Sequence, residues 1–303
     1  MLKRIVIFQI ILLCASVISA QTKQVAFTID DLPLNGPQFE PKRLQKMTEK
    51  LLASLKKNQV PMVGFVNEGL LYGQNDVDAR ISILKMWTDA GVELGNHTFS
   101  HLGFKDATLD NYEDDFIRGE TVTKMLIKPY KPRYFRHPFL QMGNTRELED
   151  SFEKFIGERG YKAVPVTMDT MDWMFLDSYS KALNEKDKAF QKKVSEEYLK
   201  FVALKIDSSE KMSKELFGRN IKNILLLHAN ELNADNFDAL IKIFRDKGYQ
   251  FITVEDALKD EIYRFPDKYA PTSDWLGHWA FSQGKHFETP QPPDFVQKIY
   301  QGK

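Results

Sequence analysis

Two histidines, His97 and His101, stand four residues apart in the stretch Glu93-Leu94-Gly95-Asn96-His97-Thr98-Phe99-Ser100-His101. Imidazole is a common ligand for zinc and its neighbours, and at positions i and i+4 of a helical turn both rings would face one cation. The plainer reading is a pair of polar loop residues, so the histidines need a third ligand and a chemical purpose from elsewhere in the chain. Further groups suited to ligation or proton transfer recur along the sequence. They are the pair Asp30-Asp31, Arg136, Asp169 and Asp172 in Asp169-Thr170-Met171-Asp172-Trp173, and His228 at the end of Ile224-Leu225-Leu226-Leu227-His228.

The elements that must position these groups follow from the apolar pattern. Gln24 to Asp30 is a β-branched and aromatic run closed by the breakers Pro33, Asn35, Gly36 and Pro37, which reads as a buried strand carrying two acids to its C-terminal end. Strands are likewise expected over 61–67, 92–95, 133–139, 162–167, 224–228 and 250–254. Between them lie helical stripes: Leu44 to Leu55 after Pro41; Ile81, Leu84 and Trp87 up to Gly91; and Leu109 to Met125, capped by Thr108 and stopped by Pro129 and Pro132. Leu148 to Ile156 and Phe237 to Phe244 follow the same spacing. About seven strands alternating with helices argue for an α/β fold, a parallel sheet or barrel with helices outside. The chemical groups all fall at or just after strand ends, where parallel barrels build their sites, so one shared pocket is expected.

Between about Asp177 and Asn220 lies a charged helical stretch longer than a crossover requires, with Phe190, Val194, Tyr198 and Phe201 as its apolar face. From Arg264 onward a tail rich in proline and aromatics, including Trp275, Trp279 and Phe281, is expected to wrap the same domain. His137, His278 and His286 read as hydrogen-bonded or surface histidines.

The 303 residues carry 42 Lys+Arg against 42 Asp+Glu, so no net field favours nucleic acid or an acidic membrane; a compact neutral partner or a glycan is expected. Lys3-Arg4, an apolar run from Ile5 to Val17 and then Ile18-Ser19-Ala20 have the anatomy of a secretory signal peptide. Residues 1–20 would be removed, leaving one domain over 21–303 with no integral membrane span and a secreted or periplasmic location. Cys14, the single cysteine, lies inside that run, so the mature chain could form no disulfide and do no thiolate chemistry.

With five motifs in order, namely Thr28-Ile29-Asp30-Asp31, His97 to His101, Arg136-His137-Pro138-Phe139, Asp169 to Trp173 and Leu226-Leu227-His228, the chain resembles the polysaccharide deacetylases of the NodB-homology class, carbohydrate esterase family four. The resemblance covers roughly residues 24 to 256. It implies a distorted (β/α) barrel of fewer than eight strands, here with a helical insertion at about 177–220 and a C-terminal extension at about 264–303. It implies one divalent metal, zinc first with cobalt or nickel suiting the same ligands, held by Asp31, His97 and His101. Asp30 would be the general base, Arg136 would orient it and His228 would be the general acid. Asp172, or else Asp169, would hold His228. Phe139, Trp173 and Pro138 would face the substrate, with the Phe139 backbone N–H at the oxyanion and Trp173 in the wall beside the acetyl group. The implied activity is removal of acetyl groups from N-acetylated or O-acetylated sugars. A catalytically silent glycan-binding barrel is the alternative. Three departures stand out: Leu32 where glycine usual to the family would follow the aspartates, which is expected to narrow the groove; Ala229-Asn230 after His228, where an aspartate is common; and the insertion.

Overall fold

The computed structural model describes residues 22–37, 39–72, 75–127, 133–264 and 274–302. The expected signal peptide with Cys14, and Pro129 and Pro132, lie outside the described residues.

Among the described residues, eight strands and eleven α-helices follow in order: β1 (Lys23–Leu32), α1 (Pro41–Asn58), β2 (Met62–Val66), α2 (Val77–Asp89), β3 (Glu93–Asn96), α3 (Leu109–Arg118), α4 (Thr123–Leu126), β4 (Arg133–Phe135), α5 (Arg146–Glu158), β5 (Tyr161–Ala163), β6 (Met168–Asp169), α6 (Asp172–Asn184), α7 (Lys188–Phe217), β7 (Lys222–His228), α8 (Glu231–Asp246), β8 (Tyr249–Ile252), α9 (Val254–Ala257), α10 (Trp275–Ser282) and α11 (Asp294–Gln301). The sheet runs β5-β4-β3-β2-β1-β7-β6, with β8 beside the first half of β1. All its pairings are parallel. This is the expected distorted (β/α) barrel, in eight strands where about seven were expected. β1 and β7 read as continuous apolar runs because helices cover the sheet, and Val25, Phe27, Ile29, Leu225 and Leu227 are buried within the largest apolar cluster. Their register sets Asp30 directly beside His228.

The expected fifth strand over 162–167 is instead two short strands. Pro165 lacks the N–H that a continuous ladder needs. The chain crosses the gap between them, with Val164 N–H donating to Phe135 O at 2.8 Å and Thr167 N–H to Ile224 O at 3.0 Å. The fourth strand is also shorter than expected, giving way after Phe135 to a turn over Pro138–Leu140. The long helix expected to reach Met125 ends at Gly119, and Met125 is 75% exposed on α4.

The charged stretch expected at about 177–220 resolves into the body of α6 and the whole of α7. Asp187 caps α7 by accepting the Phe190 N–H at 2.9 Å, and Gly218 ends it with φ 70°. One face of α7, from Val194 through Tyr198 and Phe201 to Ile206, is part of the main core, so this face is structural interior. In the tail, α10 lays Leu276 and Trp279 on Met212 and Leu216 of α7, and α11 packs on α6.

Candidate functional site

Each motif lies at the C-terminal end of its strand, and the local chain is bent to turn the side chains inward. Asp31, Thr98, His101, Phe139, Leu140 and Met171 all have φ between 51° and 61°, a region that side-chain-bearing residues seldom adopt and that concentrates at functional sites. His97 and His101 therefore converge from an irregular loop, not from the helical turn that their spacing suggested. Their ring centroids lie 4.9 Å apart.

This loop is held by polar side chains on both flanks. Asn96 accepts the Thr98 N–H at 2.7 Å and donates to Phe116 O at 2.9 Å, while Asp115 of α3 accepts from Ser100 N–H and Ser100 Oγ, each at 3.0 Å. Buried Glu68 ties the neighbouring turn by accepting from the Val122 and Thr123 N–H groups.

His97 Nδ1 donates to Arg136 O at 2.8 Å, which leaves its Nε2 with a free lone pair 3.6 Å from Asp31 Oδ1. His101 Nε2 stands 3.4 Å from the same oxygen. Asp31 Oδ1 is buried and has no hydrogen-bond donor, whereas Asp31 Oδ2 accepts from Asn35 Nδ2 at 2.7 Å. Ligand atoms of the three residues lie within 4.8 Å of one another. A donor-free carboxylate oxygen between two imidazole lone pairs fits one divalent ion and leaves room for water and substrate. Burial lowers His97 to about 3 and lowers His101 as well, so both rings are neutral donors. For Asp31, burial raises the carboxyl, but the imidazoles of His101, His97 and His228 and the Asn35 bond outweigh it and hold it below its ordinary value.

Asp30 lies on the other side of this cluster, 3.8 Å from His97 Nε2 and 3.8 Å from Arg136 Nη1. Burial pushes its carboxyl up to about 6 against the pull of Arg136 and His228. Arg136 is itself anchored through Nη2 to Thr28 Oγ1 at 2.9 Å, and its guanidinium lies 4.7 Å over the Phe65 ring. His228 Nδ1 bonds Asp172 Oδ1 at 2.8 Å. Of the two aspartates left open by the sequence, Asp172 is therefore the partner of His228, and Asp169 accepts the Met171 N–H at 2.8 Å. For His228, burial alone would lower the ring, but the charge and hydrogen bond of Asp172, with Asp31 and Asp30 behind, push it up to about 10.

Asp30, Asp31, His97, His101, Asp169, Phe139, Trp173 and His228 line one cavity of ≈280 Å³. Arg136 and Asp172 stand behind its wall in contact with Asp30 and His228. Two expectations change. Pro138 is buried at the start of the turn and does not line the cavity, whereas the left-handed Phe139 and Leu140 after it do. Leu32 does not narrow the groove: the bend at Asp31 sends it into the core, fully buried against Gly64. Sequence reasoning missed Asn35, Asn230, Asn233 and Tyr300. Of these only Asn230 had a signal, as an N-cap residue just before a helical stripe. His137 is buried, bonds Tyr112 OH through Nδ1 at 3.0 Å and also touches the cavity; His278 is buried and His286 exposed.

Residues 18–153 match the model of the polysaccharide deacetylase family. A peptidoglycan-N-acetylglucosamine deacetylase of Bacillus cereus is 29% identical over 150 residues, 50% of this chain and 46% of that protein. The uncharacterized protein YlxY of Bacillus subtilis is 26% identical over 215 residues, 70% of this chain and 53% of that protein. The matches thus span about half the length of these curated relatives. In fold the chain is similar to a carbohydrate esterase family 4 pseudoenzyme from Bacillus anthracis, with TM-score 0.53 and 18% identity over 79% of this chain and 66% of that one. It is also similar to a peptidoglycan N-acetylglucosamine deacetylase, with TM-score 0.50 and 20% identity over 78% of this chain and 88% of that one. Over residues 18–153 the chain is thus similar to the polysaccharide deacetylase family, the NodB-homology class.

Proposed function

We propose that this protein is a metal-dependent hydrolase that removes acetyl groups from an N-acetylated or O-acetylated sugar or polysaccharide. The observation that carries the reading is the meeting, in one cavity, of a ligand cluster of Asp31, His97 and His101 with a raised carboxylate, Asp30, and an aspartate-held histidine, His228. A divalent ion there, zinc or the similarly suited cobalt or nickel, would polarise the acetyl carbonyl and acidify a water.

Asp30 takes a proton from the attacking water, and Arg136 keeps its carboxylate oriented. The oxygen of that water bonds to the carbonyl carbon, and the Phe139 backbone N–H helps to stabilise the oxyanion. As the C–N or C–O bond breaks, His228 passes its proton to the departing amine or alkoxide, and acetate leaves. Trp173 and Phe139 wall the acetyl methyl, and Pro138 buttresses Phe139 from beneath. An amide needs the His228 proton more than an ester does, because an amine is the poorer leaving group. A silent binding barrel has no need of an acid and a base together, and this chain keeps both. The signal-like start of the sequence supports export to the periplasm or beyond.

Acetate release from chitooligosaccharides, peptidoglycan fragments, acetylated xylan and aryl acetates, with and without chelator, tests this reading. Chelator-sensitive release from at least one glycan is expected. Metal-loaded protein that releases no acetate from any of them would favour the silent barrel.

A further inference from the structure

Of the residues lining the cavity, Tyr300 alone comes from beyond the barrel motifs at the C-terminal end of the described chain. It sits on α11, whose Val296 is fully buried and whose Phe295 and Tyr300 pack onto the main core. Three side-chain contacts fix this helix to the barrel. Phe295 meets Phe190 of α7 with ring centroids 5.9 Å apart, and Lys193 lies 4.7 Å over the Phe295 ring. Tyr300 meets Trp173 edge-on at 5.2 Å with 70° between the planes, a favourable aromatic geometry. Trp173 directly follows Asp172, so Tyr300 of α11 lines the cavity on the side of the His228 pair. On another wall Phe139 is 58% exposed, with its ring 4.4 Å from His101.

We propose that Tyr300 is a specificity-determining residue that closes the Trp173 end of the cavity, so that the acetylated sugar binds as a chain end and the remaining glycan leaves past Phe139. This rests on the deacetylase reading above. A tyrosine suits the place because its face packs on the apolar face of a sugar ring.

The test is binding of N-acetylglucosamine oligomers and acetylated xylooligomers of increasing length, followed by calorimetry, to wild type, Tyr300→Ala and Tyr300→Phe. In wild type, affinity should stop rising after the first few sugars. In Tyr300→Ala the monomer should bind more weakly while the longest oligomer gains about tenfold over wild type, the scale of one added sugar contact on an aromatic wall. Tyr300→Phe should retain the wild-type length dependence. Affinity that climbs with length in wild type, or a uniform loss across all lengths in Tyr300→Ala, would overturn the closed end while leaving the deacetylase reading intact. If no oligomer bound either protein, the glycan reading would fail and the proposal with it.

Discussion

Asp172 accepts hydrogen bonds from His228 N–H at 2.9 Å, His228 Nδ1 at 2.8 Å and Asn230 Nδ2 at 3.0 Å, and also from Asn233 Nδ2. Tyr198 OH donates in turn to Asn233 Oδ1 at 2.8 Å. A fully buried carboxylate is costly unless its lone pairs are satisfied, and here donors surround it. The asparagine at 230 makes sense in this light: an aspartate would put a second carboxylate against Asp172, whereas the amide donates to it. Because His228 is raised to about 10 from its ordinary 6.5, its stabilising charge is complete below about pH 6.5 and is lost as pH rises through about 10. The urea midpoint of metal-free wild type should therefore fall further between pH 7 and 10 than that of His228→Gln. Parallel pH profiles would show that the pair does not hold the proton. Beyond Asp172 and His228 only the N-cap position of Asn230 was legible beforehand, because hydrogen bonds from Asn230 and Asn233 to an aspartate 58 and 61 positions away leave no periodic pattern.

The loop from His97 to His101 is an element whose shape depends on what presses against it. Gly119 ends α3 against the backbone of this loop, and a Cβ there would lie 2.5 Å from Thr98 C and 2.8 Å from Phe99 N. Gly69 approaches from the other side, its N–H donating to Phe99 O at 2.7 Å. Backbone cannot yield as a flexible side chain can, so Gly119→Ala should lower stability by about 1–3 kcal/mol, the range for overpacking, and should weaken metal retention together with it. A Gly119→Ala protein with the wild-type midpoint and wild-type metal content would contradict this account of the loop. The sequence marked the strand that leads into the loop and the two histidines. It could not mark the left-handed conformations at Thr98 and His101, since those arise from tertiary contacts and neither residue is glycine. The same limit applies to the fifth strand, where periodicity over 162–167 was outweighed by Pro165.

Across the whole molecule, the parallel sheet brings the ends of β1, β3, β4, β6 and β7 to one rim, and each end contributes a group to a single cavity. That arrangement was readable because buried parallel strands are continuous apolar runs and polar residues at their ends stand out. The contribution of α11 was not readable: a tyrosine on an eight-residue helix has the same pattern as any surface wrapping segment. Nor could the inward turn of Leu32 be read, since it depends on the bend at Asp31. The central claim is that two adjacent carboxylates on one strand end are divided between ligand and base. Metal content and acetate release, measured together on wild type, Asp30→Asn and Asp31→Asn, test it most directly. Wild type should carry about one divalent ion per chain. Asp30→Asn should keep that ion and lose acetate release by about 10²–10⁴-fold, the scale of a lost general base, whereas Asp31→Asn should lose both ion and activity. Equal metal loss in the two variants, or an Asp30→Asn protein that releases acetate at the wild-type rate, would contradict it.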